Sequence, residues 1–212
     1  MRSGLFAVLA LSMLGAVVSS NTARADDESW EVRLRGVYLD PAQQSNAIPG
    51  LLPQNAITIN DKWLPDLDFE YFFASQPHLS TELVLTYPQT QTVYVEGTPI
   101  GTFKHLPPVL TLKYDFLPGQ KIQPYVGLGI NVTLISDVSL AVPGVATLKL
   151  NSTSVGPAYQ AGVDVRFKGH FYLNADVKWV VLSSGVYEAG GPKISEVRLN
   201  PLLVGVGVGY RF

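Results

Sequence analysis

The sequence VGVGVGYRF, Val204 to Phe212, ends the chain and sorts its residues onto two alternating faces. One face carries Val204, Val206, Val208, Tyr210 and Phe212, and the other carries three glycines and Arg211. A period of two with one apolar face is typical of a β-strand. Because the apolar ladder ends in aromatic rings, it suits a strand that faces lipid and places its rings at the membrane interface. The glycines then point into a narrow interior, where they leave space beside bulkier side chains.

The same alternation recurs along the chain. From Tyr172 onward, Leu173, Ala175 and Val177 share one face, and Asn174, Asp176 and Lys178 share the other. Applied throughout, this period predicts eight strands. They are Trp30–Leu39, Leu64–Phe73, Leu79–Thr90, Phe103–Phe116, Ile122–Ile135, Thr153–Phe167, Phe171–Ser183 and Glu196–Phe212.

The connections between these strands alternate in length. The links at residues 75–78, 117–120 and 168–170 are short and turn-forming, whereas those at 40–63, 91–102, 137–152 and 184–195 are long. Antiparallel neighbours joined in this way have short turns at one end of the sheet and long loops at the other. The sequence therefore predicts an all-β protein, an eight-stranded antiparallel up-and-down transmembrane β-barrel. The alternative is a soluble barrel of the lipocalin type, whose apolar face points inward.

The first residues indicate export. Arg2, an apolar run from Leu5 to Val18 and an Ala23-Arg24-Ala25 site have the form of a secretory signal peptide. We expect residues 1–25 to be cleaved and residues 26–212 to form the barrel in the bacterial outer membrane. The chain has no cysteine, which excludes disulfides and thiol chemistry, and its formal net charge of −2 gives no support to a nucleic-acid partner. Hydrophobic residues make up 47% and charged residues 15%.

Five segments resemble one known family. They are HLPPVLTLKY at His105–Tyr114, QPYVGLGINVT at Gln123–Thr133, AYQAGVDV at Ala158–Val165, VRLNP at Val197–Pro201 and the final GYRF. In order and spacing they are similar to the OmpW/AlkL family of eight-stranded outer-membrane barrels, from Trp30 to Phe212.

The resemblance implies a passive channel for small hydrophobic molecules. Solutes would enter among the outer loops, descend an apolar upper lumen and leave sideways into the bilayer. The expected partners are outer-membrane lipids and lipopolysaccharide, small hydrophobic solutes and, through the C-terminal Tyr210 and Phe212, the outer-membrane insertion machinery.

Prolines predict where such a side exit would lie. Proline has no N–H to donate and is tolerated in sheets only at edges or bulges. Pro88 lies near the outer end of the third predicted strand, at the position that matches the family's proline beside the lateral opening. Pro107 and Pro108 lie near the outer start of the fourth strand. The alternative for all three is ordinary strand termination before a loop.

The entry funnel and the upper lumen are predicted to be apolar. The candidates in the first loop are Ile48, Leu51, Leu52, Ile57 and Ile59. These residues could equally plug the barrel mouth without touching a solute. Val155 stands where the family usually has a tryptophan that helps to close the lumen, so we expect a wider or displaced constriction there.

Charged residues on the inward faces predict a plug in the lower lumen. Buried charges must pair, so opposite signs on neighbouring strands favour an ion-pair network that fills the barrel. The candidates are Glu31, Arg33, Arg35, Glu70, Lys113, Asp164, Arg166, Asp176 and Lys178. Such a plug would force solutes to leave sideways.

No catalytic motif is present in the sequence. There is no Gly-x-Ser-x-Gly elbow, His-Glu-x-x-His motif or phosphate-binding glycine loop, and we expect no enzymatic activity, cofactor or metal. Two other functions remain open at this point: a channel for small polar or amphipathic solutes, and a structural or receptor barrel without transport.

Overall fold

The computed structural model describes residues 28–47, 52–142, 146–188, 191 and 193–212, so the expected signal peptide lies outside the described residues. Within them the secondary structure is entirely strand and turn, and no helix is long and apolar enough to cross a membrane. The strands, in chain order, are β1 (Trp30–Asp40), β2 (Gln44–Ser45), β3 (Ile57–Ile59), β4 (Lys62–Phe72), β5 (Leu79–Leu85), β6 (Gln89–Val95), β7 (Thr98–Leu106), β8 (Val109–Asp115), β9 (Ile122–Val142), β10 (Ala146–Leu150), β11 (Thr153–Lys168), β12 (Phe171–Val180), β13 (Ser183–Glu188), β14 (Lys193–Arg198) and β15 (Leu202–Arg211).

Eight of these strands close into a barrel. Strands β1, β4, β5, β8, β9, β11, β12 and β15 each pair antiparallel with the neighbours that precede and follow them in that order. The last strand, β15, pairs with the first over ten residue pairs, from Glu31↔Arg211 to Asp40↔Leu202, which closes the ring. The predicted eight-stranded antiparallel up-and-down barrel is confirmed.

The barrel is apolar outside and charged inside. Leu128 and Val206 are 61% and 57% exposed on the outer face, whereas the side chains of Glu31 and Arg33 are fully buried inside. Aromatic rings mark the outer face near both ends, with Phe171 against Tyr210 at the short-turn end and Tyr159 against Trp179 at the other. This polarity is the reverse of that of a soluble barrel and suits a band of lipid between two aromatic belts.

The long connections are not irregular loops. Strands β6 and β7 form one hairpin, β9 continues into a hairpin with β10, and β13 and β14 form a third. Pairings between β7 and β9 and between β10 and β13 join these hairpins, so the sheet extends well beyond the closed ring. We call this part the hairpin extension.

Three predicted strands are interrupted where the closed ring meets the hairpin extension. The third breaks after Leu85, and the fourth breaks at Pro107-Pro108. The eighth breaks at residues 199–201, where Asn200 has a φ of 30° and Pro201 has no N–H to donate. Prediction of these three as continuous strands was wrong, because prolines and one left-handed residue end the ladder locally.

The glycines of β15 lie where the sequence predicted, on the inward face against charged neighbours. A Cβ added at Gly205 would lie 2.7 Å from Oδ1 of Asp176, and one at Gly207 would lie 2.5 Å from Cγ of Arg35 and 2.3 Å from the backbone oxygen of Leu34. Only glycine therefore lets β15 approach the buried side chains of β1 this closely.

Gly207→Ala should destabilise the folded barrel by about 1–3 kcal/mol, the usual cost of overpacking a filled interior. The added methyl group would meet the backbone of Leu34, which cannot move without disturbing the β1–β15 ladder. Urea-unfolding midpoints in detergent would measure the effect. Gly36→Ala is the matched control, because nothing lies within 4 Å of a Cβ there. Equal midpoints for the two variants would contradict this packing account.

Candidate functional site: lumen and side wall

A network of charged side chains fills the lumen on the short-turn side. Arg33 lies at its centre and contacts Glu70 at 2.6 Å, Glu31 and Glu82 at 2.9 Å each and Asp164 at 3.3 Å. These carboxylates come from β1, β4, β5 and β11, so a single guanidinium joins four strands of the ring. Ion pairs formed away from water are strong when their remaining hydrogen bonds are also satisfied.

Other cations extend this network in both directions. Arg35 contacts Asp176 at 2.7 Å, Asp68 at 2.8 Å and Asp66 at 3.1 Å. Lys113 contacts Glu70 at 2.7 Å, and Lys178 contacts Glu82 at 3.0 Å. Arg211 contacts Glu31 at 2.8 Å. The charge network comprises Glu31, Arg33, Arg35, Asp66, Asp68, Glu70, Glu82, Lys113, Asp164, Asp176, Lys178 and Arg211.

Eight of the nine residues predicted to form the plug lie in the charge network. The ninth, Arg166, does not: it is exposed at the short-turn rim and donates a hydrogen bond to the backbone oxygen of Gly119. Strand β11 has an irregular register between Arg166 and Lys168 at this rim. Placement of Arg166 in the plug was therefore wrong, because its strand leaves the lumen before reaching it.

Four members of the charge network were not named from the sequence. Asp66 and Asp68 share the inward face of β4 with Glu70, and Glu82 and Arg211 occupy inward positions of β5 and β15. The alternation that identified Glu70 contained the signal for all four. No group of His, Asp or Glu side chains in the described residues is arranged to hold a metal ion.

An apolar cavity lies directly above the charge network. Arg35, Asp66, Asp176 and Lys178 form its floor. Aliphatic side chains form most of its wall, and the polar residues Thr86, Gln89, His105 and Asn131 border one part of it. The aliphatic residues are Val37, Leu39, Leu64, Val84, Val109, Val180, Leu182 and Leu203. We call this space the upper cavity.

A second apolar cluster fills the hairpin extension. Ile57 and Ile59 from the first long connection are buried in it with Val93, Phe103 and Leu140, and Leu52 packs against it. Leu52, Ile57 and Ile59 are the predicted funnel residues within the described part of the chain. Ile48 and Leu51 lie outside the described residues.

Val155 is not a lumen residue. It is 66% exposed on the outer face, and its neighbour Ser154 is the buried, inward one. Placement of Val155 in the upper lumen was wrong, because the inward positions of β11 are the even-numbered ones from Ser154 through Ala158 to Asp164.

The side wall is unpaired next to Pro88. Strands β4 and β5 pair as far as Leu67↔Leu85, and pairing resumes in the same register only where the backbone N of Asn60 donates to the oxygen of Thr92 at 3.3 Å. Residues 61–66 therefore face residues 86–91 without a β-ladder, and we call this interval the seam. Only side chains bridge it among the described residues: Thr86 reaches the backbone oxygen of Pro65, and Lys62 reaches that of Thr90.

The other edge of the Pro88 segment is also unpaired. Strands β5 and β8 pair up to Val84↔Val109, and β6 and β7 begin at Gln89↔His105, which leaves residues 85–88 opposite residues 106–108 without a ladder. Pro107 and Pro108 keep their places beside β9, since the N of Val132 donates to the oxygen of Pro108 at 3.1 Å. Pro88 is exposed, whereas Pro107 lines the upper cavity. Pro65, which also lacks an N–H, lies on the facing edge of the seam and was not identified from the sequence.

These features define a bacterial outer-membrane β-barrel with a charged lower lumen and an apolar upper cavity. The OmpW family model matches residues 29–212. The chain therefore belongs to the OmpW family of the outer membrane.

Two relatives and one solved structure show how similar these barrels are. The uncharacterized outer-membrane protein y4mB of Sinorhizobium fredii is 34% identical over 190 residues, covering 86% of this chain and 80% of that protein. The dibenzothiophene metabolism operon protein PahQ of Pseudomonas aeruginosa is 25% identical over 156 residues, covering 69% and 71%. The crystal structure of OprG from Pseudomonas aeruginosa has a TM-score of 0.72 at 28% identity, covering 87% of this chain and 96% of that one.

Arg33→Met should lower the free energy of unfolding by about 3–5 kcal/mol, the usual cost of removing one partner from a buried ion pair. The substitution leaves Glu31, Glu70, Glu82 and Asp164 buried with fewer counter-charges. The yield of refolded barrel and its urea midpoint would measure the loss. Arg166→Met removes an exposed arginine from the same barrel and should change neither value by more than about 0.5 kcal/mol. A similar loss in both variants would contradict a structural role for the charge network.

Proposed function

We propose that this protein is a passive channel, and not an enzyme, that lets small hydrophobic molecules cross the outer leaflet and leave through the side wall at the Pro88 segment. The observation that carries the proposal is the position of the upper cavity. It is closed below by buried charges and bounded at the side by Thr86, which, like Tyr87 and Pro88 after it, makes no backbone–backbone hydrogen bond to another described residue.

The floor of the upper cavity opposes a straight path through the barrel. An apolar solute that moved past Arg35 and Asp176 would have to separate an ion pair of 2.7 Å that is shielded from water. The solute offers no hydrogen bond in exchange, and an unpaired buried charge is costly. The charge network is thus a barrier to apolar molecules as well as to water-filled conduction.

The walls of the upper cavity favour the same class of solute. Aliphatic side chains provide most of the lining, and each apolar surface brought into contact with them leaves water. The buried cluster of the hairpin extension, with Ile57, Ile59 and Phe103, lies further out along the same axis. An entry path through this cluster would keep a hydrophobic molecule out of the polar lipopolysaccharide layer.

The side wall offers an exit from the upper cavity into lipid. Thr86 lines the upper cavity, whereas the next two residues, Tyr87 and Pro88, are exposed on the outer face. A few residues of unpaired chain therefore separate the cavity from the lipid side. Transfer of an apolar molecule from the cavity to the bilayer core exchanges one apolar surrounding for another, so no energy source is needed.

One relative supports an apolar solute. The name of PahQ links that protein to dibenzothiophene metabolism, and dibenzothiophene is an uncharged fused-ring compound. The similarity extends over 69% of this chain. We infer an uncharged, apolar cargo for this chain.

Pro88→Ala should remove most of the uptake gain that the channel gives to a medium-chain hydrocarbon. Alanine restores a backbone N–H on the edge of the seam, so the facing strands can pair further and narrow the gap. The measurement is the initial rate of octane uptake by cells whose outer membrane carries the protein or the variant in equal, folded amounts.

Pro118→Ala is the matched control for this experiment. It is the same substitution in the short turn between β8 and β9, far from the seam, and octane uptake should stay at the level of the unchanged protein. Equal rates for Pro88→Ala and the unchanged protein would refute the exit beside Pro88. If the unchanged protein gave no gain over cells without it, a structural or receptor barrel would replace the channel.

A further inference from the structure

Three buried polar side chains stand above the upper cavity without enough partners. Gln89 and Gln91 occupy inward positions of β6, and His105 occupies the inward position of β7 that pairs with Gln89. Their exposed fractions are 0%, 2% and 5%. Gln89 and His105 line the upper cavity directly. We call these three residues the polar subsite.

The hydrogen bond between Gln91 and His105 assigns the tautomer of the histidine. The side-chain nitrogen of Gln91 lies 3.3 Å from Nε2 of His105. An amide nitrogen only donates, so Nε2 is the acceptor and the ring proton is on Nδ1. The ring is neutral, because burial disfavours the imidazolium and its side-chain partner is an amide and not a carboxylate.

Hydrogen-bonding capacity remains unused at three atoms. Oε1 of Gln89, Oε1 of Gln91 and Nδ1 of His105 are buried and have no hydrogen-bond partner among the described residues. The polar subsite therefore presents two carbonyl acceptors and one N–H donor at the edge of an apolar cavity. Nearly all buried polar groups in folded proteins are paired with protein groups, ordered water or a ligand, so three unpaired atoms at the edge of a cavity are available to pair with a bound molecule.

One of the three side chains also touches the proposed exit. The amide nitrogen of Gln89 donates to the backbone oxygen of Tyr87 at 3.1 Å, and Tyr87 lies in the segment without a ladder. A solute held by the polar subsite would thus lie beside residues 86–88, at the point where the wall is interrupted. The ring of Phe103 provides an apolar surface on the side of the hairpin extension, and its centroid lies 5.9 Å from that of the His105 ring.

We propose that the polar subsite binds the hydroxyl group of a neutral amphiphile, an alcohol whose alkyl or aryl part lies in the upper cavity. This deepens the proposed function and rests on it. The hydroxyl hydrogen is donated to a glutamine Oε1, and the hydroxyl oxygen accepts from Nδ1–H of His105. A hydrocarbon leaves all three atoms unpaired, and a carboxylate would place its charge against two carbonyl oxygens. The site therefore favours alcohols over hydrocarbons of the same length.

The test compares uptake of 1-octanol and octane by cells that carry the protein, Gln91→Leu or His105→Leu. In each variant the ratio of octanol to octane uptake should fall about three- to tenfold, the range that corresponds to one lost hydrogen bond. Octane uptake should stay the same or rise. Thr90→Val is the matched control, since Thr90 lies between the two glutamines but is exposed on the opposite face of β6. Its ratio should not change.

A direct binding measurement accompanies the uptake test. In protein labelled with ¹⁵N-histidine in lipid nanodiscs, 1-octanol should shift the Nδ1 resonance of His105 and octane should not. His78 and His170, at the short-turn end, are internal controls that should not respond.

The outcomes separate the two proposals. If octane uptake depends on the protein but neither variant changes the octanol ratio, the polar subsite is overturned and the hydrophobic channel stands. An unshifted His105 resonance at saturating octanol also overturns it, and indicates that water alone pairs these atoms. If neither compound crosses faster than in cells without the protein, the proposed function itself fails.

Discussion

The closed ring of strands is what makes a buried charge network possible, and the rest of the molecule depends on that network. Arg33 needs carboxylates from four strands to offset its removal from water, and only a narrow barrel brings β1, β4, β5 and β11 around one point. The network also explains why the inward face of β15 carries glycines. Gly205, Gly207 and Gly209 leave the space that Asp176, Arg35 and Glu31 occupy. The closed ring, the glycines of β15 and the buried ion pairs therefore depend on one another.

The same network divides the barrel into two regions with different chemistry. Below, paired charged side chains fill the lumen and join strands of the ring. Above, aliphatic residues surround a cavity, and the strands change which residues face inward. In β4 the buried positions are even-numbered, as at Leu64 and Asp66, whereas in β3 they are odd-numbered, as at Ile57 and Ile59. In the same way, the buried positions are even-numbered in β5, as at Val84, and odd-numbered in β6, as at Gln89. Both edges of the seam reverse their faces within the unpaired residues, which matches the interruption of the ladder there.

Much of this architecture could be predicted from the sequence, and the failures have physical causes. Alternation identified the lipid-facing and inward residues of the ring, because each strand there has one apolar and one small or charged face. The wrong place for Val155 came from the family resemblance, which put it at the position of a lumen-closing tryptophan, whereas alternation with inward Asp164 puts Val155 on the outer face. Alternation did give the wrong place for Arg166, because periodicity does not show where a strand leaves the lumen.

The hairpin extension was not predicted, because its glycines and prolines are typical of loops, although Val93 and Val95 alternate with polar residues. The seam could not be predicted as a whole, because its two edges come from chain segments that lie side by side only in the folded barrel. Pro88 marked one edge, but nothing local to Pro65 shows that it lies on the other.

The most direct test of the central claim is a reversible lock across the seam. Pro65 and Tyr87 are both exposed and would face each other if the β4–β5 register continued. The chain has no cysteine of its own, so a Pro65→Cys/Tyr87→Cys pair can form only one disulfide within the chain. Octane uptake would be compared in the fully oxidised and the reduced forms of this variant. The side exit predicts that oxidation lowers uptake to the level of cells without the protein and that the reduced form of the same variant takes up octane faster than the oxidised form. Undiminished uptake through the oxidised barrel would contradict the account.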